Sequence, residues 1–179
     1  ITDTGTLVVS GTTTLAAGTT NNILLDDTSN NFGTVVITSG ADETLVDTNA
    51  IDLGTSTATG ALDVTSGAGI TDSGALSVGT TSRFEVAGSS DITLDSTGTY
   101  TGAVTFAATS GNIGNITIVD SGAISIAALG TITSLSVTST GSTVDLAGIT
   151  SATTLNVTAG GAITDTGTLV VSGTTTLAA

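Results

Sequence analysis

The sequence has no Pro, Cys, Met, Trp, His or Lys, and its one basic residue is Arg83. Without Cys there are no disulfides and no thiolate metal sites, and cysteine usage says nothing of the redox compartment. Without His or Cys, the usual Ser–His and Cys–His nucleophile pairs are excluded. Fifteen acids against one Arg give a net charge of −14. That balance argues against nucleic acid as a partner, because counterion release needs clustered Lys and Arg. It argues equally against an electrostatic grip on an anionic membrane. No apolar run approaches the roughly 20 residues that cross a bilayer, so membrane insertion is not expected. The chain opens on ITDTG without Met, and no signal peptide is read in it.

What remains is mostly Thr, Ser, Gly, Ala, Val, Ile, Leu and Asp. Charged residues are 9%, against about 25% in an ordinary globular domain. The 39% hydrophobic content is too high for a disordered chain. A core of small aliphatic layers is therefore expected, with the acids keeping a long apolar body soluble.

Repetition carries most of the information. Residues 163–179 repeat residues 1–17 without a change, a period of 162. The chain thus reads as one super-repeat, 1–162, followed by the start of the next, in a single continuous segment expected to be cut from a longer array. Shorter echoes lie inside it. ITDSG at 70–74 resembles ITDTG at 1–5, and Ile92–Leu94 resembles Ile23–Leu25 at an offset of 69. AIDLG at 50–54 matches AISIA at 123–127 at offset 73, and Val144–Leu146 at offset 93. The difference between those two offsets predicts an elementary unit of about 20 residues, eight to a super-repeat.

Each unit holds short apolar–x–apolar segments between Gly, Ser, Thr, Asn and Asp, such as Ile51/Leu53, Leu76/Val78 and Ile116/Ile118. Period-2 alternation in Val-, Ile- and Thr-rich segments predicts half-buried strands. Short strands in a unit of this length predict an all-β parallel β-helix (β-solenoid) of about eight to nine coils, two or three strands to a coil. The absence of Pro agrees, because every internal strand needs its N–H for the next coil. Phe32, Phe84 and Phe106 are expected to fill the wider parts of the core.

The middle residue of each triplet is then expected to face outward, as at Asp52, Asp63, Glu85, Thr93, Ser125, Ser136, Asp145 and Asn156. Stacking by one unit places Ser125 beside Asp145 and Ser136 beside Asn156, keeping acids off acids. Val8, Leu24, Val36 and Val170 break the pattern by being aliphatic. Either the coil buries them, or they form an apolar patch through which shafts contact one another side by side.

Catalysis finds little support. Some β-helices cut polysaccharides with paired carboxylates, but Asp26, Asp27, Asp42, Glu43 and Asp47 sit among Asn and Thr and are expected in turns. Calcium is the one cofactor whose ligand types are present. Its repetitive Gly-rich motif is absent, and Asp3, Asp72 and Asp165 in the I-T-D-[TS]-G segments are expected as turn formers. No cofactor is therefore expected. Thr-rich runs such as TTT and TSTAT raise ice or polysaccharide binding as an alternative role. A flat, regular Thr face would favour that role, and a variegated surface a shaft.

The phrases GGAITDTGTLVVSGTTTLAA, NNFGTVVITSG, LVDTNAIDLG and GALDVTSGAGITDSGALSV resemble the repeat regions of filamentous-haemagglutinin-like, β-strand-repeat bacterial surface proteins. The resemblance spans essentially the whole chain. It implies a right-handed parallel β-helix, export across an outer membrane, and an extracellular or cell-surface location. It implies no functional residue, since such shafts share no catalytic site. The expected role is a structural shaft of an adhesin or matrix filament that associates with itself end to end or side by side. Any host or matrix contact would be made by regions outside these residues.

Overall fold

One coil shows why these residues form these elements. Glu43–Asp47, Ile51–Leu53 and Ser56–Ala58 are three strands separated by corners at 48–50 and 54–55. Alternate side chains in each strand are buried and the ones between are not, the period of a pleated ribbon. Thr, Asn and Gly fill the corners, where their short side chains and local hydrogen bonding suit a sharp turn.

The computed structural model describes residues 1–179. It is a parallel β-solenoid of about nine turns with no helix, its strands stacked about 20 residues apart. A first wall of eight parallel strands runs from Ile23–Leu25 through Glu43–Asp47, Leu62–Ser66, Ser82–Val86, Ala103–Ala108, Ile124–Ile126 and Val144–Leu146 to Ile163–Asp165. A second wall runs from Val8–Ala16 to Thr175–Ala178. Two small further sheets, together called the third wall, complete the cross-section of some coils, so a coil has two or three strands. Ser125 lies beside Asp145 and Ser136 beside Asn156, as the repeat unit requires.

The unit length is an average. Along the second wall, a short coil carries Thr34 onto Asp52, whereas a much longer one carries Thr93 onto Thr117. The difference is absorbed at the corners. Early coils pass from the first wall to the second and then to a third-wall strand, Ser56–Ala58 or Leu76–Val78. Late coils place that strand before the second wall, at Leu129–Thr131, Ile149–Ala152 and Leu169–Val171. The cross-section changes corners once along the chain, between Ile92 and Ile132.

This exchange explains why the internal echoes do not fall at whole multiples of the unit. Offset 73 carries Leu62 and Val64 of the first wall onto Leu135 and Val137 of the second. It carries Ile51 and Leu53 of the second wall onto Ile124 and Ile126 of the first. Offset 69 likewise moves Ile23–Leu25 of the first wall to Ile92–Leu94 of the second. Similar phrases therefore occupy different walls.

The 162-residue period also fails to close on itself. One column of paired residues on the second wall runs from Thr12 through Thr34, Asp52, Thr71, Thr93, Thr117, Ser136 and Asn156 to Thr176. Thr176 is the sequence copy of Thr14, not of Thr12. The repeat falls slightly short of eight coils, so it turns about the axis by roughly a tenth of a turn per period.

The interior is a ladder of Ile, Leu and Val with an aromatic middle. Phe84 stacks on Phe106 at 6.0 Å between centroids, and Tyr100 meets the edge of Phe84 at 6.4 Å. Gly98 makes this possible: a Cβ there would lie 2.7 Å from the Tyr100 ring. Phe84→Ala is expected to cost about 3–5 kcal/mol, seen as a lowered urea midpoint with an unchanged far-ultraviolet spectrum in the folded state. An unchanged midpoint would contradict the aromatic core.

Candidate functional surfaces

The outward faces are built of ladders one residue wide. On the first wall Asp63 lies beside Arg83. The guanidinium reaches Asp63 at 3.0 Å and Glu85 at 2.6 Å. Burial opposes the Arg83 charge, but its hydrogen bonds to Glu85 and Asp63 outweigh that and raise its pKa. The only base is thus consumed by two acids. On the second wall Asp52 accepts hydrogen bonds from Thr34 at 3.0 Å and Ser73 at 2.6 Å. Thr164 donates to Asp145 at 2.8 Å on the first wall.

The second-wall column that starts at Thr12 is mostly Thr, interrupted by Asp52, Ser136 and Asn156. It is more regular than the sequence suggests. The adjacent outward column is mixed, with Val36 opposite Thr14 and Val119 beside Thr138. No second Thr rank runs parallel to the first. Carboxylates do not converge in any group of three or more that could hold a metal ion.

The four aliphatic outward residues are not brought together. Val8 is 72% exposed, and it lies on the second wall with Val36, which is half-buried. Val36 presses on Gly54, where a Cβ would come within 2.6 Å of its Cγ2. Leu24 is exposed on the first wall. Val170 is exposed on the third-wall strand of the last coil, so the copy of Val8 does not return to Val8's wall. With the repeat also turning about the axis, these residues do not line up along one side.

A different grouping emerges. The large exposed hydrophobics are Ile1, Leu7, Val8, Leu24, Val170 and Leu177, and all lie in the first two coils or the last. At the last coil Leu146, Ile163, Leu169 and Leu177 line a pocket of about 240 Å³. Leu7 and Leu177 escaped sequence reading because their triplets look like core; only their place on a bare edge exposes them.

The acids expected in turns divide into two kinds. Asp27 does form an Asx turn, accepting the Ser29 N–H at 2.8 Å, and Asp42 caps the next corner through the Ala61 N–H at 2.9 Å. Glu43 and Asp47 correct the expectation: they begin and end the strand Glu43–Asp47 with buried, inward side chains. Asp47 accepts the Phe32 N–H at 2.6 Å and the Asn49 N–H at 2.7 Å. Asp120 does the same for Tyr100 and Gly122, both at 3.1 Å. Each carboxylate replaces a backbone acceptor where the neighbouring strand has already turned away.

Two of the I-T-D segments are strands, Ile70–Asp72 and Ile163–Asp165, whereas at residues 1–3 only Thr2 makes a bridge, to Leu24; Asp3 and Asp72 serve the next coil. Asp72 accepts the N–H groups of Asp95 at 2.9 Å and Ser96 at 3.2 Å. Asp3 accepts from Asn30 Nδ2 at 2.7 Å, and this bond holds its pKa down despite partial burial. Asp165, the copy of Asp3, is exposed.

Among the buried titratable side chains, both Glu43 carboxyl oxygens, Asp72 Oδ2 and Tyr100 Oη lack partners. Glu43 stands in an aliphatic ladder between Ile23 and Leu62. Burial, assisted by the charge of Asp42, pushes its pKa up to about 8. Burial pushes Asp72 to about 6 against the pull of its two N–H donors. Burial and then the charges of Asp72 and Asp120 raise Tyr100. Folded-state pKa values above those of the unfolded chain mean that folding takes up protons. The stability this provides is complete below about pH 4 and declines as pH rises to about 8. Glu43→Gln is expected to melt higher than the parent at pH 8 and to shrink the fall in Tm between pH 5 and 8. A change of at least about 3 °C is expected, as each kcal/mol moves Tm by ~2–4 °C at this size. An unaltered slope would contradict a neutral, buried Glu43.

No curated protein and no solved structure matches the chain. A family model does match, over residues 1–39, 40–107 and 133–179. The unmatched stretch between them falls where the solenoid changes corners. The matched segments cover most of the chain, which belongs to the family described as "Repeats of unknown function (DUF5649)".

Proposed function

We propose that this chain is a non-catalytic shaft segment of a secreted or cell-surface bacterial filament, an adhesin or matrix protein, that associates with itself. The observation that carries the reading is one continuous parallel stack: about nine turns on a single axis, strands about 20 residues apart, with narrow polar ladders on the side walls. Such a body extends along its axis and offers little to grip from the side. The phrase-level resemblance to filamentous-haemagglutinin-like repeats supports a place outside the cell, with binding tips beyond these residues.

Ice or polysaccharide binding is the alternative, and the Thr column that starts at Thr12 is the feature that favours it. A single rank one residue wide, broken by Asp52 and Asn156, gives a planar ligand one row of contacts instead of a face.

The test is a chain carrying residues 1–162 twice in tandem before 163–179. Small-angle scattering is expected to show a rod longer by about 38 Å, eight coils at ~4.8 Å, with unchanged cross-section and no effect on ice growth. A maximum dimension that does not grow would sink the shaft reading. Altered ice growth or retention on a polysaccharide column would favour the alternative.

A further inference from the structure

Asp47, Asp72 and Asp120 each serve at least one backbone N–H, whereas neither carboxyl oxygen of Glu43 meets a donor. Its position explains the difference. Glu43 opens the strand Glu43–Asp47, directly after the corner 40–42 that joins the second wall to the first. Ile23 lies on one side of it and Leu62 on the other, both buried. The carboxyl group turns back towards the corner. A Cβ on Gly40 would collide with Glu43 Oε1, and would lie 3.1 Å from its Cδ and 3.2 Å from Ile23 Cδ1. On that side the cover is thin, because Gly40 has no side chain, Ala41 is half-buried and Asp42 is exposed.

The corner is held by the ladder on both sides. Gly40 C=O accepts the Thr59 N–H and the Thr59 hydroxyl, both at 3.0 Å. The Ala41 N–H donates to Asn21 C=O at 2.9 Å, and Ala41 C=O accepts the Gly60 N–H at 2.8 Å. Few charges bear on the carboxyl group. The strands Ile23–Leu25, Asn31–Ser39 and Ser56–Ala58 contain no titratable residue, and Asp26 and Asp27 follow the first of them at its far end. Asp63, beside Leu62, faces outward to Arg83. Asp47, at the other end of the same strand, is occupied by the Phe32 and Asn49 N–H groups. Asp42 remains, and its charge adds to burial in keeping Glu43 protonated.

A carboxylate in this place has no donor, and an unpaired buried charge costs more than a local opening that wets it. We propose that the corner 40–42 is a pH-controlled latch, closed over a neutral Glu43 and released when Glu43 gives its proton to solvent and swings out past Gly40. Release breaks the bonds that Ala41, Thr59 and Gly60 make across the corner, while the strands on either side stay paired. The direction follows from the two states. Glu43 titrates at about 8 with the corner closed, and at an ordinary 4.5 once its carboxyl group is in water. The closed corner is therefore fully favoured below about pH 4.5. Each pH unit from about 5 to 8 favours opening about tenfold more, and the effect levels off above that. One joint of the solenoid thus loosens as pH rises while distant coils keep their ladder. The latch acts whatever role the solenoid serves.

Amide hydrogen exchange of the full chain, resolved by residue from pH 5 to 8, tests the latch, with circular dichroism to verify that the solenoid stays folded. Protection is taken relative to an unstructured peptide at the same pH. At the Ala41, Thr59 and Gly60 amides it is expected to fall about tenfold per pH unit. At Ala147 and Thr153, whose amides bond Ile126 and Thr133 in late coils, it is expected to stay constant. Glu43→Gln, which cannot ionise, is expected to make protection at the three corner amides constant as well. Asp42→Asn keeps an acceptor for the Ala61 N–H but removes the charge, and is expected to move the levelling point to lower pH. Constant protection at the corner in the parent would overturn the latch. So would a fall that persists in Glu43→Gln, or one shared equally by Ala147 and Thr153, which would mean that the whole solenoid unfolds instead.

Discussion

The structure depends on one interaction, the parallel backbone ladder between successive coils. Each N–H and C=O that leaves a strand must find a partner one coil away, because a buried backbone group without one is costly. Side chains then have no freedom to choose sides: a residue beside its partner points the same way, and inward residues stack on inward ones. The Ile, Leu and Val interior and the one-residue-wide polar ladders outside are both consequences. So is the absence of Pro, which would remove a donor from the ladder.

The ladder also sets where variation is allowed. The short coil from Thr34 to Asp52 and the long one from Thr93 to Thr117 coexist because corners take up the difference while strands keep their register. Where a strand ends before its neighbour does, a side chain substitutes for the missing backbone. Asp47 and Asp120 supply acceptors in this way, and Ser56 Oγ accepts the Ile37 N–H at 2.9 Å. Glu43 has no such employment. It sits inside the ladder with no partner, and is tolerated as a neutral acid.

Much of this was legible in the sequence. The alternation at Ile51/Leu53 or Ile116/Ile118 is a local property and announces strands and facing without knowledge of the rest. The step of one unit between Ser125 and Asp145 likewise survives intact. What could not be read was which wall a segment occupies, because wall identity depends on the summed lengths of all preceding corners. Leu62 and Leu135 look equivalent yet lie on different walls. The slight shortfall of the period has the same origin. Buried acids were misassigned for another reason. Asp47 and Glu43 have the composition of a turn around them, and only the termination point of the neighbouring strand reveals the N–H that Asp47 serves. Tyr100 gave no signal, since the vacancy that holds its ring is made by Gly98 and by Phe84 a wall away.

The register itself is the claim on which the rest stands, and a chain without Cys is well suited to test it. Thr93→Cys with Thr117→Cys places two thiols side by side on the second wall, although a long coil separates them in sequence. Thr93→Cys with Thr105→Cys places them closer in sequence but on different walls. Mild oxidation of the folded protein, read by mass spectrometry, is predicted to close the first pair rapidly and leave the second reduced. A disulfide in the second pair and none in the first would contradict the three-walled register.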